Sequence, residues 1–373
     1  MSGTRVSIAL ASCEGERFVD AQLASIAAQT RLPDELVVCD DASSDETLAR
    51  VRRFAEQAPF PVRVTANPTR LGTTRNFEQA VRACTGDVVF LADQDDVWLP
   101  EKIAALVAAL EASPSAGAAL CNGAVVDADG RTLGYDLWAA LDFSLAEQAR
   151  VRAGRAHEVF ARHVVAAGTT FAFRRRFAPL LFPFPDLRSA HDAWIAFLVA
   201  AVADVALVDR SLIQYRLHDR NQLGLRRMGL FAQYAAAKQQ LAQGAFDYAA
   251  CFFEEAGERL RSPAAAELPL RPGVLEVVDE KALHSRIRDA MPPTLVEDLV
   301  IVGSQIADTP AKTRPPGAIL AFHADTGKLV WSFYAMPPTL VGRLPIVIAE
   351  ARQGRYRRYA YGWKSVAQDL FLR

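Results

Sequence analysis

The chain has 373 residues, of which 51% are hydrophobic and 23% charged, and its net charge is −1. This size accommodates two or more domains, and the near-zero net charge gives no electrostatic basis for binding nucleic acid. The five cysteines lack metal-ligand spacing and no run of eighteen apolar residues occurs, which favours a cytosolic protein with reduced thiols and no transmembrane helix.

The N-terminal part of the chain alternates between predicted strands and helices. No signal peptide is recognised before the first strand. Strands are predicted at 6–11, 36–39, 62–65 and 87–91, and helices at 18–29, 47–56 and 76–83, the second of these capped by residues 44–47. This alternation predicts βαβ units with a mostly parallel sheet, which binds ligands beyond the carboxyl ends of its strands.

Three polar clusters follow these strands: Ser12-Cys13-Glu14, Asp40-Asp41 and residues 93–96. The last cluster places three carboxylates within four residues, and like charges so close repel one another. A divalent cation carrying a phosphorylated ligand would relieve that repulsion. The alternative is an acidic loop that caps the helix predicted near Pro100.

Further elements follow the acidic cluster. Strands are predicted at 119–127, 166–173 and 205–208, with a turn at Gly130, a helical or loop-like stretch at 138–162 and an apolar helix that begins at His191. From about residue 223 to residue 261 the pattern is helical.

The first 220 or so positions resemble an inverting family 2 glycosyltransferase with a GT-A fold, which is a Rossmann-like α/β architecture. The Asp-Gln-Asp-Asp-Val-Trp motif is similar to that of bacterial rhamnosyltransferase-like members, which build O-antigen and related polysaccharides. The resemblance rests on Ser12 and Glu14, 40–45, 67–77, 93–98, 168–170, His191-Asp192 and 215–221.

The resemblance implies a donor site and a metal site. Asp41 would accept hydrogen bonds from the nucleobase or ribose, although capping the next turn is the alternative. Asp96 would support the metal site or cap the helix near Pro100. The implied nucleotide-sugar ligands are Ser12, Glu14, Asp41, Arg70 and Asp93, and the implied ligands of Mg²⁺ or Mn²⁺ are Asp93, Asp95 and His218.

Inversion requires a base that deprotonates the acceptor hydroxyl, and Asp192 is the candidate. The alternative for Asp192 is a carboxylate that only stabilises a helix N-terminus. The implied acceptor residues are Gly168, Thr169, Trp98 and His191, of which Trp98 and His191 have packing roles as alternatives.

The C-terminal third contains a seven-residue repeat, because residues 290–296 recur as 335–341. Between the copies, residues 297–335 resemble one blade segment of a pyrroloquinoline-quinone propeller dehydrogenase, with two strands joined by an Asp-Thr-Gly turn. One blade cannot build a propeller or enclose its cofactor. We therefore interpret this segment as an insertion with duplicated flanks.

The predicted organisation has four parts: a GT-A domain at 1–222, a helical region at 223–296, a β-hairpin-like insertion at 297–335 and a tail at 336–373. Basic and aromatic residues are interleaved over 352–373. Such a segment lies on an anionic membrane surface or, alternatively, packs on protein.

The predicted function is metal-dependent, inverting transfer of a sugar from a nucleotide-diphosphate donor, with dTDP-L-rhamnose as one candidate, to a glycan or lipid-linked acceptor in surface polysaccharide synthesis. This places the protein in the cytoplasm or on the inner face of the cytoplasmic membrane. The alternatives are a nucleotidyltransferase of similar fold and a non-catalytic scaffold. A glycine-rich phosphate loop after the first strand would favour the former, and loss of a carboxylate cluster the latter; the sequence shows neither.

Deleting residues 297–341 removes one period of the repeat, and we expect the shortened chain to fold with an unchanged thermal midpoint. The physical reason is that an inserted segment contributes little to the core of its host. Differential scanning calorimetry of both proteins measures this, and loss of the folding transition would contradict the insertion hypothesis.

Overall fold

The computed structural model describes residues 3–186, 191–218 and 245–290, together with strands at 294–296, 299–303, 318–323 and 329–334. The chain divides into two compact units. The first comprises Met1–Ala235 and Cys251–Ala282, and the second comprises Ala236–Ala250 and Leu283–Arg373.

A nine-stranded sheet forms the centre of the first unit. Its strands are β1 (Val6–Ser12), β2 (Glu35–Asp40), β3 (Val62–Ala66), β4 (Val88–Asp93), β5 (Val97–Trp98), β6 (Ala116–Val126), β7 (Thr132–Asp136), β8 (Phe171–Arg174) and β9 (Asp204–Arg216). The order is β3-β2-β1-β4-β8-β6-β9-β5, with β7 paired to β6. Strands β1 to β4 are mutually parallel, as are β6 and β9, whereas β8 is antiparallel to both its neighbours.

Helices cover both faces of this sheet. They are α1 (Val19–Ala27), α2 (Thr47–Ala55), α3 (Thr73–Ala83), α4 (Lys102–Ala112), α5 (Leu137–Ala140), α6 (Leu145–Arg152), α7 (Ala156–Phe160), α8 (Ala178–Leu181), α9 (His191–Val202), α10 (Ala245–Arg261) and α11 (Val274–Ala290). Within the described ranges, none of the helices is long and apolar enough to cross a membrane.

Alternating side chains of the strands build one core on each face. Ile8, Leu10 and Phe90 pack with α1 and α4, whereas Val89 and Leu91 pack with α3 and α9 on the other face. Strands buried on both sides read as continuous apolar runs, which explains why the sequence locates them well.

The predicted α/β architecture and its first four strands are confirmed. The strand predicted at 166–173 is wrong in its first half, because Gly168–Thr170 forms a 3₁₀ turn and only Phe171–Arg174 is extended. Within the segment predicted to cap α2, the Asp45 carboxylate accepts the Thr47 N–H at 2.9 Å, and Ser44 donates to Glu14.

Part of the predicted helical region packs on this sheet domain. Phe252 of α10 meets Trp194 and Phe197 of α9 at ring-centroid distances of 5.6 and 6.0 Å, and Phe253 meets Phe197 at 5.7 Å. Helix α9 is therefore apolar on all sides because it lies between the sheet and α10. Residues 223–244 lie outside the described part of the chain.

The second unit contains a four-stranded antiparallel sheet of β10 (Thr294–Val296), β11 (Leu299–Gly303), β12 (Ala318–His323) and β13 (Leu329–Tyr334). Strands β12 and β13 pair as the Asp-Thr-Gly pattern predicts. The sheet begins inside the first repeat copy, before the predicted start at 297. The Asp-Thr-Gly turn itself and the basic aromatic tail lie outside the described residues.

Glu35 joins three strands at the amino edge of the sheet. Its carboxylate accepts hydrogen bonds from Ser7 Oγ at 2.6 Å, from Thr85 N at 2.6 Å and from Arg63 at 2.6 Å. Burial alone would raise the pKa of Glu35, but these hydrogen bonds outweigh it and lower the pKa to about 2.

We expect Glu35→Gln to lower the free energy of unfolding by about 2 kcal/mol at pH 7. The reason is that the folded state stabilises the ionised carboxylate through its hydrogen bonds, and a neutral amide does not gain this stabilisation. A lowered folded-state pKa stabilises the protein above the unfolded pKa of about 4.3, and the effect fades as the pH falls towards 2. Urea unfolding of both proteins between pH 7 and pH 3 measures the difference, and a gap independent of pH would contradict this assignment.

Candidate active site

The predicted polar clusters meet at one edge of the sheet, beyond the carboxyl ends of β1, β2 and β4. Ser12 pairs with Asp40 in register, and Ala11 pairs with Asp93. The chain runs outward from β1 in one direction through β2 and β3 and in the other direction to β4, so this edge is a topological switch point, where doubly wound sheets bind ligands.

An acidic corner lies at the end of β4. Burial raises the pKa of Asp93 well above its ordinary value, and the negative charges of Asp95, Asp96 and Asp192 raise it further. Asp192 comes from the start of α9, about a hundred residues along the chain. The fold thus brings the predicted metal ligands and the predicted base close enough to influence one another.

Asp95 and His218 form the contact that best suits a cation. Asp95 Oδ2 lies 2.8 Å from His218 Nε2. Neighbouring ligand atoms of an octahedral Mg²⁺ or Mn²⁺ with bond lengths of about 2.1 Å lie about 3 Å apart. Among the described residues no group of three acidic, histidine or cysteine side chains is preassembled for a metal. A pair of protein ligands completed by diphosphate and water oxygens fits Mg²⁺ or Mn²⁺.

Asp96 is buried and does not cap a helix, so that alternative is wrong. Helix α4 begins after Glu101. Asp96 Oδ1 accepts the Arg216 N–H at 3.0 Å. Burial raises the pKa of Asp96 to about 8, with Asp95 adding to the rise. Asp96 therefore supports the acidic corner from beneath.

The loop after β1 holds two of the predicted donor ligands. Glu14 lies in the left-handed region with φ +50° and accepts hydrogen bonds from Ser44 N at 3.1 Å and Ser44 Oγ at 3.0 Å. The same Glu14 oxygen forms an ion pair with the half-exposed Arg70. Ser12 is buried and donates to Asp40 Oδ2 at 2.8 Å. Glu14 and Arg70 therefore face solvent together, whereas the buried Ser12 holds Asp40 beneath the loop through its hydrogen bond.

Asp41 organises the loop between β3 and α3. Its carboxylate accepts hydrogen bonds from Leu71 N at 2.7 Å, Gly72 N at 2.9 Å and Asn67 Nδ2 at 3.0 Å. Asn67 also donates to Asn76, which in turn donates to the Cys39 carbonyl. Asp41 therefore does not only cap the next turn, because its hydrogen-bond partners lie 26 to 31 residues further along the chain.

Gln94 links the loops after β1 and β4, a role that the sequence did not reveal. Its side-chain amide donates to the Cys13 carbonyl at 2.9 Å and accepts the Cys13 N–H at 2.8 Å. A Cβ at Gly15 would lie 2.1 Å from Gln94 Oε1, so this glycine provides the space for the amide. The only signal in the sequence is a long amide between two aspartates.

Asp192 is held at the acidic corner by backbone N–H groups. Asp192 Oδ2 accepts the Gly168 N–H at 3.3 Å, and Oδ1 accepts the Ala193 N–H at 2.7 Å. The neighbouring His191 stacks on Phe77 with ring centroids 3.9 Å apart and is buried. Its burial lowers the pKa of the imidazole, so His191 is a neutral packing residue at neutral pH.

The predicted acceptor contacts at Trp98 and Thr169 are wrong, because both residues are buried in the core. Trp98 is 2% exposed and donates from Nε1 to Thr169 Oγ1 at 3.3 Å. The ammonium of Lys102 covers the Trp98 ring at 3.1 Å from its centroid. Neither side chain offers a surface to an acceptor. Lys102 itself was not predicted, although a lysine in an apolar helix is a recognisable signal.

This doubly wound sheet, with an acidic corner at its switch point, defines a GT-A-like glycosyltransferase fold. The crystal structure of residues 1–349 of TarS from S. aureus in complex with UDP-GlcNAc has this fold too, with a TM-score of 0.50, 16% identity and coverage of 76% of this chain and 72% of that one. Residues 7–179 match the model of glycosyl transferase family 2.

Curated proteins similar to this chain include one from Nostoc sp. and one from Escherichia coli. An uncharacterized glycosyltransferase from Nostoc sp. is 24% identical over 227 residues, which are 58% of this chain and 66% of that protein. WfgD from Escherichia coli, a UDP-Glc:alpha-D-GlcNAc-diphosphoundecaprenol beta-1,3-glucosyltransferase, is 31% identical over 98 residues, which are 26% of this chain and 38% of that protein. The chain thus spans less than two thirds of the length of these relatives.

The C-terminal third has its own similarity. Residues 268–369 match the beta-propeller domain of glucose, ethanol and alcohol dehydrogenases. This range is wider than the segment at 297–335 that the sequence pattern indicated, and it includes β10 to β13 and all of α11.

We expect Gln94→Ala to lower the free energy of unfolding by about 1–2 kcal/mol, because two hydrogen bonds to the Cys13 backbone are lost. The Cys13 amide should also exchange faster with solvent. Urea unfolding and hydrogen exchange measure the two effects. Gln57→Ala, which removes the same side chain at an exposed position, is the matched control. Equal changes in unfolding free energy and in Cys13 exchange for the two variants would contradict this role.

Proposed function

We propose that this protein is a metal-dependent, inverting glycosyltransferase that transfers a sugar from a nucleoside-diphosphate donor to a growing or lipid-linked glycan. The observation that carries the proposal is the convergence of Asp93, Asp95 with His218, and Asp192 at the switch point of the sheet. Cation ligands and a separate carboxylate in one corner are what this reaction requires.

The donor lies beyond the carboxyl ends of β1 and β4 in this proposal. Asp41 orders the loop of residues 67–72, which carries Arg70, and Arg70 with Glu14 faces the nucleotide. Asp93 would join Asp95 and His218 in holding Mg²⁺ or Mn²⁺ once the diphosphate is bound, and the metal would neutralise charge on the departing diphosphate. Ser12 keeps Asp40, and with it the end of β2, in place.

Asp192 is the proposed general base. The N–H groups of Gly168 and Ala193 orient its carboxylate, and the start of α9 adds a favourable dipole. Asp192 accepts the proton of the acceptor hydroxyl while that oxygen bonds to the anomeric carbon and the bond to the nucleoside diphosphate breaks on the opposite face. The configuration is thereby inverted, and the nucleoside diphosphate leaves with the bonding electrons.

The finer identity of the substrates is part of the proposal. The rhamnosyltransferase-like motif favours dTDP-L-rhamnose, whereas the name of WfgD favours UDP-glucose and an undecaprenol-linked acceptor. Either pair belongs to surface polysaccharide synthesis. With such an acceptor the enzyme works in the cytoplasm at the inner face of the membrane, where the basic aromatic tail of residues 352–373 contacts anionic lipid.

A thermal-shift panel of sugar nucleotides, with and without Mn²⁺ or Mg²⁺, identifies the donor, because ligand binding to the folded state raises the unfolding midpoint. With that donor, we expect Asp95→Asn to lose the metal-dependent part of the shift. Asp192→Asn should keep the shift but lower kcat by at least about a hundredfold, since only the proton acceptor is removed.

Asp209→Asn is the matched control. Asp209 lies on β9 away from the site, is exposed, and forms an ion pair with Arg152 of α6. It should retain both donor binding and turnover. Full activity in Asp192→Asn would exclude Asp192 as the base. A metal-dependent shift that survives Asp95→Asn would exclude the proposed cation site.

A further inference from the structure

Lys102 is a fully buried cation in an unfavourable position. It begins α4, where the unpaired N–H groups of the helix repel positive charge, and it has 0% exposure. Lysine is almost never fully buried without a partner. Burial lowers the pKa of Lys102 to about 7, although Cys121, Asp96 and Asp93 act to raise it. Core packing alone would favour an apolar residue here.

The contacts of Lys102 point to the turn that donates a hydrogen bond to the proposed base. Its ammonium donates to the Thr169 carbonyl at 2.5 Å and lies over the Trp98 ring. Thr169 also accepts from Trp98 Nε1. The preceding residue, Gly168, donates its N–H to Asp192. The ammonium, the 3₁₀ turn and the Asp192 carboxylate therefore form one continuous chain of contacts.

The turn has little room to move once it is held in this way. A Cβ at Gly168 would lie 3.3 Å from His191 Nε2 and 3.5 Å from the Asp192 Cβ. The backbone of the turn thus packs directly against the first residues of α9. A displacement of Thr169 would be transmitted to the Gly168 N–H and so to the carboxylate that it orients.

We infer that Lys102 is a positioning residue for the transfer reaction: its ammonium fixes the Gly168–Thr170 turn, and the turn sets the Asp192 carboxylate against the acceptor hydroxyl. This inference rests on the proposed function for its effect on turnover. The structural part, in which Lys102 holds the turn, is independent of which reaction the enzyme performs.

Lys102→Met in the full-length protein tests the structural part by hydrogen exchange. We expect the Gly168 amide to exchange at least about tenfold faster, while amides of β1 and β4 keep their protection. Lys281→Met on α11 is the control and should leave the Gly168 amide unchanged. An unchanged Gly168 amide in Lys102→Met overturns the inference, and so does a uniform loss of protection across the sheet.

Steady-state kinetics with the donor found by thermal shift tests the effect on turnover. We expect Lys102→Met to lower kcat about a hundredfold, the loss typical of a misplaced catalytic group, with the KM for the donor within about twofold of wild type. Equal kcat, or a loss confined to KM, overturns the inference.

Two further comparisons keep the outcomes distinct. If Lys102→Met does not fold, Lys102→Gln replaces it, because the shorter amide does not reach the Thr169 carbonyl. If wild type transfers no sugar from any nucleotide tested while Gly168 exchange still responds to Lys102→Met, the proposed function fails and the contact with the turn stands. If wild type is active and Gly168 exchange does not respond, only the role of Lys102 fails.

Discussion

Mutual repulsion among Asp93, Asp95, Asp96 and Asp192 is the constraint on which the rest of this site depends. Burial raises the pKa of Asp93 most, and the negative charges of Asp95, Asp96 and Asp192 raise it further, because each carboxylate disfavours the ionised form of its neighbours. The surrounding groups offset this repulsion from several sides: His218 contacts Asp95, and the backbone of Arg216 donates to Asp96. A cation that binds at the corner releases the remaining strain, so metal binding and the protonation of the corner are thermodynamically linked.

Buried amides and carboxylates, and not regular secondary structure, fix the loops around the corner. Asp41 holds Leu71 and Gly72, Gln94 holds Cys13, and the Asn76 side chain holds the end of β2. The bonds of Asp41 and Gln94 join a side chain to backbone groups outside the strands, and unmet backbone groups are costly when buried. The site is therefore preorganised before any ligand arrives, as differential stabilisation of a transition state requires.

The sequence predicts the sheet well because its strands are apolar on both faces and alternate with helices at regular spacing. It also predicts which carboxylates meet, since parallel strands end at one edge. It fails where a residue's role depends on a distant partner. Trp98 reads equally as core or as platform until Lys102 is seen over its ring. Asp41 reads as a ligand of the donor or as a local cap, whereas its partners in the fold lie about thirty residues away. The 3₁₀ turn at Gly168–Thr170 has the composition of a strand, and tertiary contacts decide its shape.

Gly15 approaches the Gln94 amide so closely that the residue type allowed at position 15 depends on the residue at position 94. A side chain at position 15 and a long amide at position 94 exclude each other, although the residues are far apart in the chain. A smaller residue at position 94 would leave room for a side chain at position 15, but it would give up the two hydrogen bonds of Gln94 to the Cys13 backbone. The dependence runs in one direction: a side chain at position 15 requires a shorter residue at position 94, whereas a shorter residue at position 94 is compatible with Gly15.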